Sequence, residues 1–171
     1  LAHSADPATP ACAQHLAQLA SAVQDCAHEG WARLCSAWYL LYQHRKAEAV
    51  DQAMGGVALV RHAAPHGCHA RALLMASHVL AAAGKGHEAT VLCREASHLM
   101  NPTPSTDLTC RLHLLRCELE HLGTGTPGGN ESVTEALASA RALGHTSTTA
   151  WLRTLQGLQS CARGEWNVCH R

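Results

Sequence analysis

Imidazole and thiolate are the side chains in this sequence best able to do chemistry, and it carries fourteen histidines and nine cysteines. They gather most densely at Pro65-His66-Gly67-Cys68-His69, with His62 just upstream. A zinc site needs three or four such groups converging on one point. The usual local spacings are missing: no two cysteines stand as C-x-x-C, and His87-Glu88-Ala89-Thr90-Val91 lacks the second histidine of a metalloprotease helix. The expectation is therefore surface and loop histidines, with no metal and no cofactor. A metal- or small-ligand-binding sensor using clustered His and Cys stands as an alternative.

Two further patterns point to chemistry and lead nowhere. Gly123-Thr124-Gly125-Thr126-Pro127-Gly128 fits G-x-G-x-x-G, yet that fingerprint cradles a pyrophosphate only between a strand and a helix, and here a helix precedes it. A Cys/His nucleophile pair needs geometry, which nine thiols and fourteen imidazoles do not specify. The fragment is expected to have no catalytic residues. Asn130-Glu131-Ser132 is a glycosylation sequon, which matters only in a secreted protein.

The elements that must position these side chains are helices. Ala and Leu dominate and Phe is absent, a helix-forming composition with too few β-branched alternations for a sheet. Residues 1–10, with Pro7 and Pro10, read as a loose lead-in. A helix follows over 11–28, with Leu16, Leu19, Val23 and Cys26 as its buried stripe and Gly30 as its terminator. Hairpins then fall at 31–63, 68–100, 106–143 and 147–171, the last incomplete, separated by Pro and Gly breakers. First helices start about 37 to 41 residues apart, a period in the range of stacked helical repeats. The expected domain is a single one over 11–171. The chain begins without Met and stops within a helical pattern, which reads as a piece of a longer polypeptide.

Charge and hydropathy exclude several partners. The formal net charge is zero and the pI about 7.3, so no uniform field draws the chain to nucleic acid or anionic lipid. No run approaches the ~20 apolar residues that span a bilayer. The odd set of cysteines, spread over helical segments, reads as small buried hydrophobes in a reducing cytoplasm.

At the turns the sequence resembles tetratricopeptide repeats. Gly84-Lys85-Gly86-His87-Glu88-Ala89 with Ala96 and Pro102, Gly164-Glu165-Trp166, and Ala47-Glu48-Ala49 with Gly56 carry the resemblance; Gly157 falls at a small position of a first helix. It implies an all-α fold, a right-handed superhelix (α-solenoid) of antiparallel hairpins whose first helices line a concave groove. Transfer of the family's groove positions, anchored on His44, Gly84, Gly123 and Gly164, selects Trp38, Tyr42, Arg71, His78, His113, Cys117, Glu120, His121 and Trp151. Trp31, Leu34, Leu41, Leu74, Ala81, Cys110, Thr154, Leu158 and Cys161 complete the sets. The implied function is a non-catalytic protein–protein interaction or regulatory module that binds a peptide or partner domain, similar to sensory regions of bacterial signalling proteins. Homodimerisation is the alternative.

Overall fold

Turns of one kind set four of the helix boundaries. The computed structural model describes residues 8–63, 66–100, 106–123 and 129–162. Within them lie α1 (Ala8–Ala22), α2 (Cys26–Tyr42), α3 (Lys46–Ala63), α4 (His66–Ala82), α5 (Gly86–Met100), α6 (Thr106–His121), α7 (Gly129–Ala142) and α8 (Thr146–Ala162). The described residues contain no strand. Gln24, His44, Gly84, Gly123 and Gly144 take positive φ, between 55° and 88°. At four of these turns the following amide, on Asp25, Arg45, Lys85 or His145, donates to the carbonyl five residues back at 2.8 to 2.9 Å. That bond satisfies a carbonyl which the end of the helix would otherwise leave without a donor. The same four residues then accept the first hydrogen bond of the next helix, from Glu29, Ala49, Ala89 and Thr149. One residue thus closes one helix and opens another.

This turn corrects the boundary drawn at Gly30. The chain breaks at Gln24-Asp25, where the Asp25 carboxylate caps α2 by accepting the His28 amide at 3.1 Å. A second bond joins its other oxygen to His28 Nδ1 at 2.6 Å, and the His28 amide bond is the main cause that holds the Asp25 carboxyl below its usual range. Gly30 therefore lies inside α2 and is buried. The stripe assigned to a helix over 11–28 turns outward as well: Leu19 is 57% and Val23 73% exposed, and α1 buries Ala13 and Ala20 instead.

Contacts divide the chain into two compact units, Leu1–Pro102 and Thr103–Arg171. In the first, α1 packs on α2, α2 on α3, α3 on α4, and α4 on both α5 and α2; in the second, α6, α7 and α8 pack on one another. Burial recurs at a spacing of 40 residues. Ala13, Ala53, Cys93 and Val133 are buried, as are Ala20, Val60, Met100 and Ala140. Gly56, Ala96 and Ala136 share another buried position. The first helices keep the same spacing through Leu34, Leu74 and Leu114, and through Ala37, Ser77 and Cys117. By this register α1 is a second-type helix, like α3, α5 and α7.

The tightest crossing is between α2 and α3. A Cβ placed on Gly30 would lie 2.7 Å from both the Gly56 carbonyl oxygen and Val60 Cγ2, and one placed on Gly56 would lie 2.7 Å from the Gly30 carbonyl oxygen. Glycine at both positions is what lets the backbones touch. Between the hairpins, Arg61 of α3 donates to both carboxylate oxygens of Glu95 on α5, at 2.7 and 2.9 Å. His69 of α4 brings Nε2 to 3.7 Å from the same carboxylate. In the second unit, Cys110, Leu114, Cys117, Val133, Ala136, Leu137, Ala140, Leu152 and Leu155 form the core. Among the described residues no helix is long and apolar enough to cross a membrane.

Candidate functional site

The 40-residue register sorts the residues of the first helices into columns of equivalent sequence position, two members of each in either unit. Trp31, Arg71, Arg111 and Trp151 share one column; Trp38, His78, Glu118 and Leu158 share another. In the first unit, α2 and α4 lie side by side, and the Trp38 and His78 rings meet with centroids 6.2 Å apart at a tilt of 44°. Trp38 is half-buried and His78 buried. Arg71 and Tyr42 are exposed and Trp31 is half-buried. In the second unit, the Trp151 indole on α8 donates Nε1–H to the Glu118 carboxylate on α6 at 2.9 Å, while 46% of Trp151 stays exposed. In each unit, then, residues of these columns join one first helix to the next.

The α6 positions are displaced by one residue from those selected in the sequence. Cys110 is 2% and Cys117 0% exposed, so both belong to the core and offer a partner no surface. Burial pushes the Cys117 thiol up to about 12, aided by the charges of Glu120 and Glu118, which leaves it protonated and unreactive. The displacement comes from Gly123, which stands 39 residues after Gly84 while the buried positions of α6 keep the 40-residue register. Anchoring on that glycine shifts every α6 position by one. Arg111 and Glu118 are the residues the register points to, and both are half-buried.

His113 takes up a different place. Its ring packs against α7, with Nδ1 3.1 Å from the Glu135 carboxylate but not aligned for a hydrogen bond. Burial lowers its pKa, Glu135 opposes that shift and Arg116 reinforces it. Glu120 is half-buried and its carboxyl is raised by burial, with Arg116 pulling the other way. His121 is exposed at the end of α6. Of the wider set, Leu34, Leu74 and Ala81 are buried, Leu41 and Cys161 half-buried, and Thr154 and Leu158 exposed. A Cβ on Gly157 would meet no described atom within 4 Å, so its small size serves no close packing among the described residues.

The cysteines divide by place rather than sharing one environment. Cys93, Cys110 and Cys117 are buried, Cys35 and Cys161 intermediate, and Cys12, Cys26 and Cys68 exposed. The exposed three correct the expectation of buried thiols: Cys12 sits on the outward side of α1, and Cys26 and Cys68 lie in the first turns of α2 and α4. Among the described residues no three His, Cys, Asp or Glu are grouped to hold a metal ion. The G-x-G-x-x-G loop, apart from Gly123, and the segment 163–171 with Gly164 and Trp166 lie outside the described residues.

The described residues are thus all-helical and repeat-like, with aromatic and charged side chains at recurring positions of the first helices in each unit. No protein-family model, no curated protein and no solved structure matches it.

Proposed function

We propose that this chain is a non-catalytic interaction module, a tetratricopeptide-like α-solenoid that binds a peptide or partner domain along the face of its first helices, within a larger regulatory protein. The observation that carries the reading is the recurrence of Trp31, Arg71, Arg111 and Trp151 at one position of the 40-residue register, two of them in each unit, with Tyr42 exposed at the end of α2. Three of the chain's four tryptophans fall on the two first-helix columns. Tryptophan, tyrosine and arginine supply most of the energy in protein interfaces, because each combines a large apolar area with a directional polar group. Fold-level resemblance identifies no partner, and the reading rests on these side chains.

The test is cross-linking and capture with a Tyr42→Ala/Arg71→Ala/Arg111→Ala/Trp151→Ala variant beside the wild type, both checked for equal helicity by circular dichroism. The proposal expects a partner held by the wild type and released by the folded variant. A partner held equally by both places binding elsewhere and refutes the first-helix face.

A further inference from the structure

We propose, resting on the first-helix reading above, that the seam between α2 and α4 in the first unit takes an acidic peptide segment, one whose carboxylate is flanked by large apolar side chains. Along α4, every residue from His69 to Ala81 is buried except two: Arg71 is exposed and Met75 half-buried. They stand four residues apart, and His78 and Ala82 continue the stripe at i+7 and i+11. A charged side chain that stays in water on so covered a helix marks the side that α2, α3 and α5 leave open.

The equivalent stripe on α2 is aromatic. Trp31, Cys35, Trp38 and Tyr42 keep the same i, i+4, i+7 and i+11 spacing, the first three half-buried and Tyr42 exposed. The two stripes meet at the Trp38 and His78 rings, whose centroids are 6.2 Å apart. Each helix has packed neighbours on both sides in the chain: α2 lies against α1, α3 and α4, and α4 against α2, α3 and α5.

Charge decides the occupant. Helix α4 contains no Asp or Glu, and α2 contains one, Glu29, whose carboxylate is held by Arg33 at 2.8 Å. Glu29 and Arg33 stand two residues to either side of Trp31, off its stripe. The carboxylates of the second helices are engaged or placed elsewhere: Glu48 pairs with Arg45 and Glu95 with Arg61, while Asp51 and Glu88 are exposed on α3 and α5. No acidic residue therefore shares the stripes of Trp31 and Arg71. A ligand carboxylate arriving there meets a guanidinium fork that can bind it through two parallel hydrogen bonds. Indole, phenol and adaptable thioether surface serves the apolar side chains around it. A basic segment would meet Arg71 as a like charge. A nucleic acid needs several cations to displace its counterions, and these stripes offer one arginine.

Selection from a random-sequence peptide display library on the intact chain is the test. The expected binders carry Asp or Glu beside Leu, Phe or Trp, and selection on an Arg71→Glu variant should replace the acid by Lys or Arg. For a synthetic peptide taken from the wild-type selection, Arg71→Gln should weaken binding by up to about fivefold at low salt, and this difference should vanish near roughly 1 M salt. Arg71 is exposed, and equal helicity by circular dichroism separates lost binding from lost folding. Binders without acidic residues, or an acidic preference that survives Arg71→Glu, overturn the acidic occupant and leave the first-helix face standing. Binders held in full by the Tyr42→Ala/Arg71→Ala/Arg111→Ala/Trp151→Ala variant lie off that face and overturn both readings, as does a library that yields none.

Discussion

Replacing Gly30 by alanine sets two effects against each other with a predictable winner. Alanine is the better helix former by about 1 kcal/mol in a helix interior. Its methyl, however, would lie 2.7 Å from the Gly56 carbonyl oxygen and 2.7 Å from Val60 Cγ2. Ordinary contact begins near 3.4 Å, so α2 and α3 must separate by about 0.7 Å, a gap that forfeits a quarter to a half of each contact across it. The obstacle includes backbone, which cannot turn aside as a side chain can. Overpacking of this kind costs about 1–3 kcal/mol, and the upper end applies, giving a net loss of about 2 kcal/mol. Gly55→Ala is the control: its methyl meets only the Arg33 side chain, the guanidinium at 3.0 Å and Cδ at 3.8 Å. The movable guanidinium can shift, so this variant should gain about 0.5–1 kcal/mol. Urea titration followed by helicity and by the fluorescence of Trp31 and Trp38 reads both. A Gly30→Ala variant as stable as the wild type would refute the close crossing of α2 and α3.

His44→Gly relieves a left-handed residue at φ 60° on an exposed turn and should stabilise the chain by about 1 kcal/mol, read as a higher urea midpoint. His113 titrates below its ordinary 6.5 when folded, so the unfolded chain binds the proton first and stability falls as pH drops from 6.5 through that lowered value. A His113→Gln variant should lose less of its urea midpoint between pH 7.5 and pH 5.5 than the wild type; an equal loss assigns the effect to other groups. Thiol labelling of the native chain should modify Cys12, Cys26 and Cys68 first and leave Cys93, Cys110 and Cys117 until denaturant is added, and early modification of Cys117 would contradict its burial.

The helical character of the chain was legible in composition and breakers, because Gly and Pro interrupt helices for backbone reasons that any context respects. The first boundary was not. Gln24 takes the left-handed conformation without being glycine, and Asp25 caps the next helix; nothing in glycine spacing reveals that turn. Gly30 looked like a terminator because isolated glycines usually end helices, and only the approach of Gly56 explains its place inside one. The columns of the candidate site could have been read from the 40-residue spacing of Trp31, Arg71, Arg111 and Trp151. Glu118 would have followed from Trp38 and His78 in the same way. Counting from Gly123 hid them, since that helix reaches its turn one residue early.

The turns at His44 and Gly84 share one geometry, with Arg45 and Lys85 each closing the helix behind and opening the helix ahead. A 40-residue segment bounded by such turns is a cassette whose two ends present the same backbone to whatever adjoins them. Loss or duplication of one cassette would preserve the turn and the burial columns, and would change only which second helix meets which first. The Gly30–Gly56 crossing is the exception, because the corresponding pair in the α4–α5 hairpin is Ala70 and Ala96. Two facing methyls hold helices farther apart than two facing hydrogens. The geometry of the chain is thus modular in its joints and individual in its spacings, and the glycine pair that straddles the turn at His44 has no counterpart across the turn at Gly84.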